Sequence, residues 1–523
     1  MPNKNILLIE PGYKNKYPPL GLMKIAQYHG IDGKKDNVTF IKGEDDKNVF
    51  TKSWDRIYVT TLFSFEWAKM EKSIDFALKI ANGDTSKIFV GGIAASLMHD
   101  EFLEVKKWKG IRFIKGLLTD PPAASLQLDD FAEELYSDDL QSKPIEDLIP
   151  DYEILNQIDY NYHVFDAYFL YSTRGCIRKC KFCGVPALEG PQRDNGSLSH
   201  HVNKIAKKYG EKKDLMLMDN NVVASPRFKE IIAEIRDLGF TPGATIKRGS
   251  SVLQRRVDFN QGVDARILCK DKSFLKEMST ICIKPLRIAF DHLGVRKPYE
   301  KAIRFAEEAG LRDLSNYMLY NFHDTPDDLY QRMKLNIDLN EELGIRIFSF
   351  PMRYQPIDLK DRSHIGDNWH RFYLRSMQII LQATHGIVSG APDYFKEAFG
   401  DNTESYKELL LWPHHYLFNR QWYKKYGGTP ELEEYLQKLS KLTPNEKNEL
   451  LEVLTLNPSA YKKDSISRTN KVKSIVMDHY LPLQTVDERK IWDAMRKQRK
   501  VSDDFNLPED ERVEDAGLSE KVA

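Results

Sequence analysis

Three of the chain's five cysteines, Cys176, Cys180 and Cys183, fall within eight residues. Thiolates this close together on a short loop are typical of a metal site. The C-x3-C-x2-C spacing provides three thiolates for three irons of a cubane iron–sulfur cluster and supplies no fourth ligand. One iron would therefore keep an open coordination position, which distinguishes a reactive metal site from a structural one.

The three cysteines have two other interpretations. Three unrelated buried cysteines would rarely fall at this spacing in a chain with so few of them. A structural zinc site needs a fourth ligand, for which His200 or His201 is the nearest candidate. The second half of a zinc-binding pattern is missing, so the spacing favours iron and keeps zinc as the alternative.

The segment from Ser172 to Gly184 resembles the signature of the radical S-adenosylmethionine (SAM) superfamily, and Phe182 stands where that family has its usual aromatic residue. The resemblance implies a [4Fe-4S] cluster on the three cysteines, with SAM chelating the open iron through its amino and carboxylate groups. It also implies reductive cleavage of SAM to a 5'-deoxyadenosyl radical, which takes a hydrogen atom from the substrate. Phe182 would pack by the adenine, and an external electron donor such as a flavodoxin or ferredoxin would be a partner.

Between residues 166 and 358, short apolar runs alternate with helical stretches, which predicts βα units with a parallel sheet. The six predicted strands cover 168–171, 215–218, 257–260, 286–290, 317–320 and 345–350. The helix after the fifth strand is predicted to begin at Thr325, which is followed by Pro326 and, three residues after the cap, by Asp328. Six units make an incomplete (βα)6 barrel, which resembles the partial TIM barrel of the radical SAM family. The cysteine loop directly follows the first strand, at the carboxyl end where barrel enzymes place their chemistry.

Polar residues follow the second, third and fourth predicted strands, where related enzymes bind SAM. The residues predicted to bind this cofactor, besides Phe182, are Asp219, Asn220, Asp264, Arg266 and Asp291. Carboxylates, amides and an arginine complement the amino, carboxylate and hydroxyl groups of SAM. The family's Gly-Gly-Glu type segment is not evident after the second strand, and each polar residue has the alternative role of a helix cap or turn. No residue is assigned as catalytic.

Residues 1–125 form a different unit, with strands predicted at 5–9, 38–41, 56–60 and 87–90 and an open doubly wound, Rossmann-like sheet. This block, with a linker at 126–165, resembles the cobalamin-binding-like domain that precedes the barrel in one radical SAM subfamily. The Asp-x-His-x-x-Gly motif of base-replacing cobalamin proteins is absent, because the only histidines here are His29 and His99. Cobalamin is thus compatible with the domain but not implied, the alternative being a domain for packing or substrate docking.

Residues 359–500 are predicted to form a mostly helical domain that acts as a cap over the open barrel, and 501–523 a disordered tail. Nucleic acid is a weaker candidate partner. It rests on the aromatic and cationic stretch 412–426, better explained as a helix with a buried face, and on a basic loop at 247–256.

Composition points to a cytoplasmic enzyme, because the 77 basic and 77 acidic residues balance and no signal peptide or membrane span is evident. Cys269 and Cys282 are predicted to be inert buried thiols, the alternative being a hydrogen-atom donor. The sequence therefore predicts a radical SAM enzyme acting on an unidentified substrate. The alternatives are a cobalamin-dependent radical methyltransferase and a non-catalytic iron–sulfur or zinc module.

Overall fold

A computed structural model describes residues 3–118, 145–427 and 429–481. The chain divides into two compact units. The first comprises Met1–Phe290, Gly294–Tyr317 and Tyr354–His364, and the second Asp291–Leu293, Met318–Arg353 and Ile365–Ala523. The predicted tail at 501–523 and the predicted boundary at residue 125 lie outside the described residues, so the division into five segments stays a prediction.

The first unit begins with a five-stranded parallel sheet in the order β2-β1-β3-β4-β5, which confirms the predicted Rossmann-like fold. Its strands are β1 (Asn5–Glu10), β2 (Asn37–Lys42), β3 (Arg56–Thr61), β4 (Ile88–Gly92) and β5 (Arg112–Phe113). Its helices are α1 (Leu20–His29), α2 (Trp67–Ile80), α3 (Ile93–Leu97) and α4 (His99–Leu103). The central strand β1 is buried on both faces, as its continuous apolar run Ile6–Ile9 requires.

The turn from β4 into α3 depends on Gly92. Its φ is +107°, and a Cβ at this position would lie 2.2 Å from the carbonyl oxygen of Thr61. The Thr61 hydroxyl donates to the carbonyl of Gly91 at 2.9 Å and accepts from the amide of Ala95 at 2.9 Å. The carboxyl ends of β3 and β4 are thereby locked to the start of α3.

A second set of strands follows the linker. Its members are β6 (Ala167–Leu170), β7 (Thr173–Arg174), β8 (Arg193–Asp194), β9 (Asp214–Leu217), β10 (Thr245–Arg248), β11 (Ser251–Gln254), β12 (Val257–Phe259), β13 (Leu286–Arg287), β14 (Asp313–Tyr320) and β15 (Arg346–Arg353). β9 pairs in parallel with β6 and β12, β13 pairs in parallel with β14, and a parallel bridge joins Val263 to Ile288. All six predicted strands are present in chain order, and their closure into a partial barrel stays a prediction.

Two local differences from the sequence prediction have physical reasons. β14 begins at Asp313, four residues early, because the polar Ser315 and Asn316 are buried with partners; Asn316 donates to the Tyr299 hydroxyl at 2.7 Å. The predicted basic loop forms the antiparallel hairpin β10–β11, which turns at Gly249 with a φ of +56°.

The helices of this region include the predicted one after β14. They are α5 (Val185–Leu188), α6 (Leu198–Tyr209), α7 (Phe228–Asp237), α8 (Ala265–Leu268), α9 (Ser273–Met278), α10 (Arg296–Glu308) and α11 (Pro326–Leu343). The predicted start of α11 is confirmed, because Thr325 and Asp328 form a reciprocal capping box.

The second unit is mainly helical, as predicted for the C-terminal region. Its further helices are α12 (Arg371–Ala383), α13 (Pro392–Phe399), α14 (Thr403–Leu411), α15 (His414–Tyr426), α16 (Pro430–Ser440), α17 (Pro444–Thr455), α18 (Tyr461–Ser465) and α19 (Asn470–His479). Tyr416, Leu417 and Tyr423 of α15 are buried. The aromatic stretch is therefore a helix with a packed face, which is the alternative to nucleic-acid contact that the sequence favours. Within the described ranges, no helix has the length and apolarity that crossing a membrane requires.

Gly92→Ala tests the close packing of the turn between β4 and α3 against Thr61. The added methyl group meets the Thr61 carbonyl, so we expect the free energy of unfolding of the first unit to fall by roughly 3 kcal/mol. Gly83→Ala is the matched control, because Gly83 also has a positive φ, of +81°, but nothing lies within 4 Å of an added Cβ. Its cost should be about 1 kcal/mol. Equal losses in urea denaturation would contradict the packing argument.

Candidate iron–sulfur site

The cysteine loop leaves the carboxyl end of β6 and is closed on itself by backbone contacts. The short strands β7 and β8 pair antiparallel across it, and the amide of Cys176 donates to the carbonyl of Gly190 at 3.2 Å. Gly175 has a φ of +76°, and a Cβ there would lie 2.2 Å from the carbonyl oxygen of Pro191. Only glycine fits immediately before the first cysteine.

The three thiols are partly exposed on this loop. The backbone amide of Arg178 lies 3.4 Å from the sulfur of Cys176, and the amide of Cys183 donates to the carbonyl of Cys180 at 3.1 Å. In the part of the chain that the structure describes, no three histidine, cysteine or acidic side chains are grouped closely enough to hold a metal ion. The donor set itself fits iron, because three soft thiolates on one loop are the usual ligands of a cluster.

The zinc alternative lacks support from His201. Its Nδ1 and Nε2 lie 3.3 Å and 3.1 Å from the backbone carbonyl oxygens of Ser197 and Asp147. Because carbonyl oxygens only accept, the neutral ring donates its single N–H to one of them, and its other nitrogen also faces a carbonyl oxygen instead of a metal ligand position.

Asp219 anchors the start of the loop. Its buried carboxylate accepts from the amides of Ser172 and Thr173 at 2.9 and 2.6 Å and from their hydroxyls at 2.6 and 2.7 Å. The sequence places Asp219 correctly at the carboxyl end of a strand, but both its oxygens are occupied by the loop. A contact with SAM stays a prediction for this residue.

Glu189 holds the same loop from the other side. One of its oxygens accepts from the amide of Gly175 at 2.7 Å and from the side-chain amide of Asn220 at 3.0 Å. The other pairs with the Arg174 guanidinium at 3.1 Å. Asn220, predicted to bind SAM, thus lies directly beside the cysteine loop.

Arg174 continues this network into the first sheet domain. Its guanidinium also pairs with Glu146 of the linker, and Glu146 in turn pairs with Lys24 of α1 at 3.2 Å. The side chains of all four charged residues are less than 10% exposed, and two positive charges balance two negative ones. Sequence reasoning missed Glu146 and Glu189, because neither has a local signal and their partners are distant in the chain.

Asp264 brings two arginines to the loop. It accepts from Arg178, which lies between the first two cysteines, at 2.7 Å, and from Arg266 at 2.8 and 3.0 Å. Burial alone would raise the pKa of Asp264, but hydrogen bonds from Arg266 and Arg178 lower it. The ion pairs of Asp264 therefore stabilise the fold fully at pH values above the ordinary carboxyl pKa. This stabilisation is lost as the pH falls through the lowered pKa of the folded state.

The other residues singled out in the sequence are Phe182 and Asp291, predicted to bind SAM, and the thiols Cys269 and Cys282. Phe182 is half-buried, next to Cys183, and Asp291 belongs to the second unit, where its backbone carbonyl accepts from Arg332 at 3.0 Å. Cys282 lies at the amino end of β12, opposite the cysteine loop, and burial raises its pKa to about 11. Cys269 is partly exposed, and its thiol lies 3.5 Å from the carbonyl of Arg266.

One edge of the Rossmann-like sheet lies beside the third cysteine. A Cβ on Gly184 would lie 2.8 Å from a methyl group of Leu97, in α3, and 3.8 Å from one of Ile357. At this edge, after β3 and β4, Phe63 is 46% exposed, Ile93 39% and Ile357 38%. An apolar surface is therefore open to solvent close to the cysteine loop.

No protein-family model matches the chain, and no curated protein matches it in sequence. Solved structures do resemble it in fold. One is the radical SAM methyltransferase TsrM from Kitasatospora setae, with tryptophan substrate and a SAM analogue bound; it is 14% identical, with a TM-score of 0.46, over 72% of this chain and 76% of that one. Another is the cobalamin-dependent SAM radical enzyme OxsB, 14% identical with a TM-score of 0.46, over 97% of this chain and 81% of that one. Both neighbours are radical SAM enzymes.

Asp264→Ala tests whether this carboxylate clamps the loop. Loss of the shared acceptor frees Arg178, so we expect the free energy of local opening of the loop to fall by about 1.4 kcal/mol. Trypsin should then cut within 178–181 roughly tenfold faster. Asp271→Ala is the control, because Asp271 caps only its own turn at Ser273. Equal cleavage rates in the two variants would show that Asp264 does not hold the loop.

Proposed function

We propose that this chain is a radical SAM enzyme whose [4Fe-4S] cluster is held by Cys176, Cys180 and Cys183. The observation that carries the proposal is a three-thiol loop at the carboxyl end of β6, fixed by the buried carboxylates Asp219 and Glu189. When bound, the cluster and SAM supply a 5'-deoxyadenosyl radical that removes a hydrogen atom from a substrate.

The chain's own residues position these groups. Asp219 and Glu189 both fix the start of the loop, at residues 172–175, and the amide of Arg178 would donate to a Cys176 thiolate that binds iron. The protein's contribution is thus binding, orientation and exclusion of water, while the cofactor carries the chemistry.

The residues predicted from the sequence to contact SAM, namely Phe182, Asp219, Asn220, Asp264, Arg266 and Asp291, remain part of the proposal. The Arg266 side chain is 39% exposed, and its two hydrogen bonds to Asp264 fix the direction of its guanidinium. Asn220 lies 3.4 Å from the carbonyl of Gly175, immediately before the first cysteine. The substrate is not identified.

We further propose a cytoplasmic location and an external electron donor. None of the five cysteines, all within the described residues, forms a disulfide, and a reducing compartment keeps thiols available as metal ligands.

Anaerobic reconstitution with iron and sulfide tests the proposed function. We expect about four irons per chain and, after reduction, formation of 5'-deoxyadenosine from SAM. Cys180→Ala should lose both. Cys282→Ala, at the opposite end of β12, should keep both, because its thiol lies away from the loop.

The outcomes separate the candidate classes. Zinc bound in place of iron, or a cluster that never cleaves SAM in the presence of varied substrates, would favour the non-catalytic module. Equal iron loss in the two cysteine variants would contradict the assignment of the loop.

Cobalamin-dependent radical methyl transfer is the second candidate, and the apolar edge of Phe63, Ile93 and Ile357 favours it. TsrM has been solved with cobalamin and a [4Fe-4S] cluster bound. In this chain the edge contacts the cysteine loop through Leu97 and Gly184. Bound there, cobalamin would supply a methyl carrier. The loop after β1, residues 11–19, contains no histidine, so no base from that loop would coordinate the cobalt.

Ile93→Asp tests the cobalamin site. If the edge binds the apolar face of a corrin ring, we expect uptake of hydroxocobalamin, measured by absorbance after gel filtration, to fall roughly tenfold or more. Ile31→Asp is the control, because Ile31 is 74% exposed elsewhere in the same domain. No uptake by the native chain would remove this candidate and leave the radical SAM proposal intact.

A further inference from the structure

Two amide side chains join the cysteine loop to the turn that follows β12. Gln192, immediately before β8, donates from Nε2 to the backbone carbonyl of Asn221 at 3.0 Å and to the Thr173 hydroxyl at 3.4 Å. Asn221 is 3% exposed, and its Oδ1 accepts from the backbone amide of Asp264 at 3.3 Å. Each partner fixes the orientation of the side chain, because a carbonyl only accepts and an amide N–H only donates. We call Gln192 and Asn221 the amide pair.

These bonds form a closed ring of contacts with the middle of the loop. The Asp264 carboxylate accepts from Arg178 Nε at 2.7 Å, and the Arg178 backbone amide lies 3.4 Å from the Cys176 sulfur. The amide pair therefore holds Asp264, Asp264 holds Arg178, and Arg178 presents its amide to the first cysteine. Asp219 and Glu189 hold the start of the loop, so the ring of contacts reaches further along it than they do.

Each member of the amide pair also has one polar atom without a hydrogen-bond partner. Within the part of the chain that the structure describes, Asn221 Nδ2 and Gln192 Oε1 are buried and unpaired. Unpaired buried polar atoms destabilise a fold, so their presence needs an explanation. Apolar side chains would avoid this cost, but they could neither accept from the Asp264 amide nor donate to a carbonyl. The bonds that the pair does make are therefore the reason to look for a function.

We propose that the amide pair positions the Arg178 amide on the Cys176 sulfur and thereby raises the reduction potential of the cluster. The inference rests on the proposed function, because it needs iron on Cys176. A hydrogen bond to a cluster sulfur stabilises the reduced, more negative state, so the cluster becomes easier to reduce. Gln192 and Asn221 are positioning residues, since they act through Asp264 and Arg178.

Gln192→Met tests the proposal on the full chain with reconstituted cluster. Methionine keeps the length of the side chain and removes its donor and its unpaired acceptor. Gln254→Met is the matched control, because Gln254 is exposed on β11. Two quantities are measured. One is the midpoint potential of the cluster, from a redox titration followed by electron paramagnetic resonance. The other is amide hydrogen exchange of residues 176–183 in the chain without iron.

We expect full iron content in Gln192→Met, because the cysteines are untouched. The ratio of reduced to oxidised cluster at a fixed potential should fall roughly tenfold, which is a shift of about 59 mV to lower potential for one electron. Exchange in the iron-free loop should rise by a similar factor, and Gln254→Met should match the native chain in both quantities. Asn221→Ala, which removes the acceptor for the Asp264 amide, should change both quantities in the same direction as Gln192→Met.

A native potential in the two amide-pair variants would overturn the proposal even if exchange rises, because the pair would then have a structural role alone. Native exchange in both variants would overturn it as well. Loss of iron from both would also overturn it, since the pair would then be needed to hold the cluster and not to set its potential. Absence of a cluster in the native chain would instead count against the proposed function.

Discussion

Buried carboxylates fix the cysteine loop, and the rest of the proposed site depends on them. The loop has almost no regular structure of its own, so hydrogen bonds from outside must hold it. Asp219 takes four donors at its start, and Glu189 takes the amide before the first cysteine. Removing one partner from such a buried network leaves charges unpaired, at a cost of about 3–5 kcal/mol.

The network also links the loop to the Rossmann-like domain. Lys24, Glu146, Arg174 and Glu189 form a chain of alternating charges from α1 to the loop, with no net charge. Because these four side chains are little exposed, each ion pair is stronger than it would be at the surface. Removal of any one of the four residues would weaken the whole network. The domain that precedes the strands of the site therefore helps to hold the cysteine loop. Its open apolar edge approaches the same loop through Leu97 and Gly184.

Much of this arrangement could be predicted from local sequence. Apolar runs gave both sets of strands, the capping pattern at Thr325 gave the start of α11, and cysteine spacing gave the loop. Position after a strand predicts that Asp219 and Asn220 lie near the cysteine loop, and position in the segment after β12 predicts the same for Asp264. Glu146, Glu189 and Lys24 could not be found, because a buried ion pair between distant residues leaves no periodic or local pattern. The early start of β14 was missed for a related reason, since buried Ser315 and Asn316 read as loop residues until their partners are known.

Electron paramagnetic resonance of the reconstituted, reduced protein, recorded with and without SAM, tests the central claim most directly. An open iron on the Cys176, Cys180 and Cys183 cluster predicts a [4Fe-4S]+ signal that changes when SAM is added and is lost in Cys180→Ala. A signal that SAM leaves unchanged, or a chain that binds zinc and gives no signal, would contradict the account.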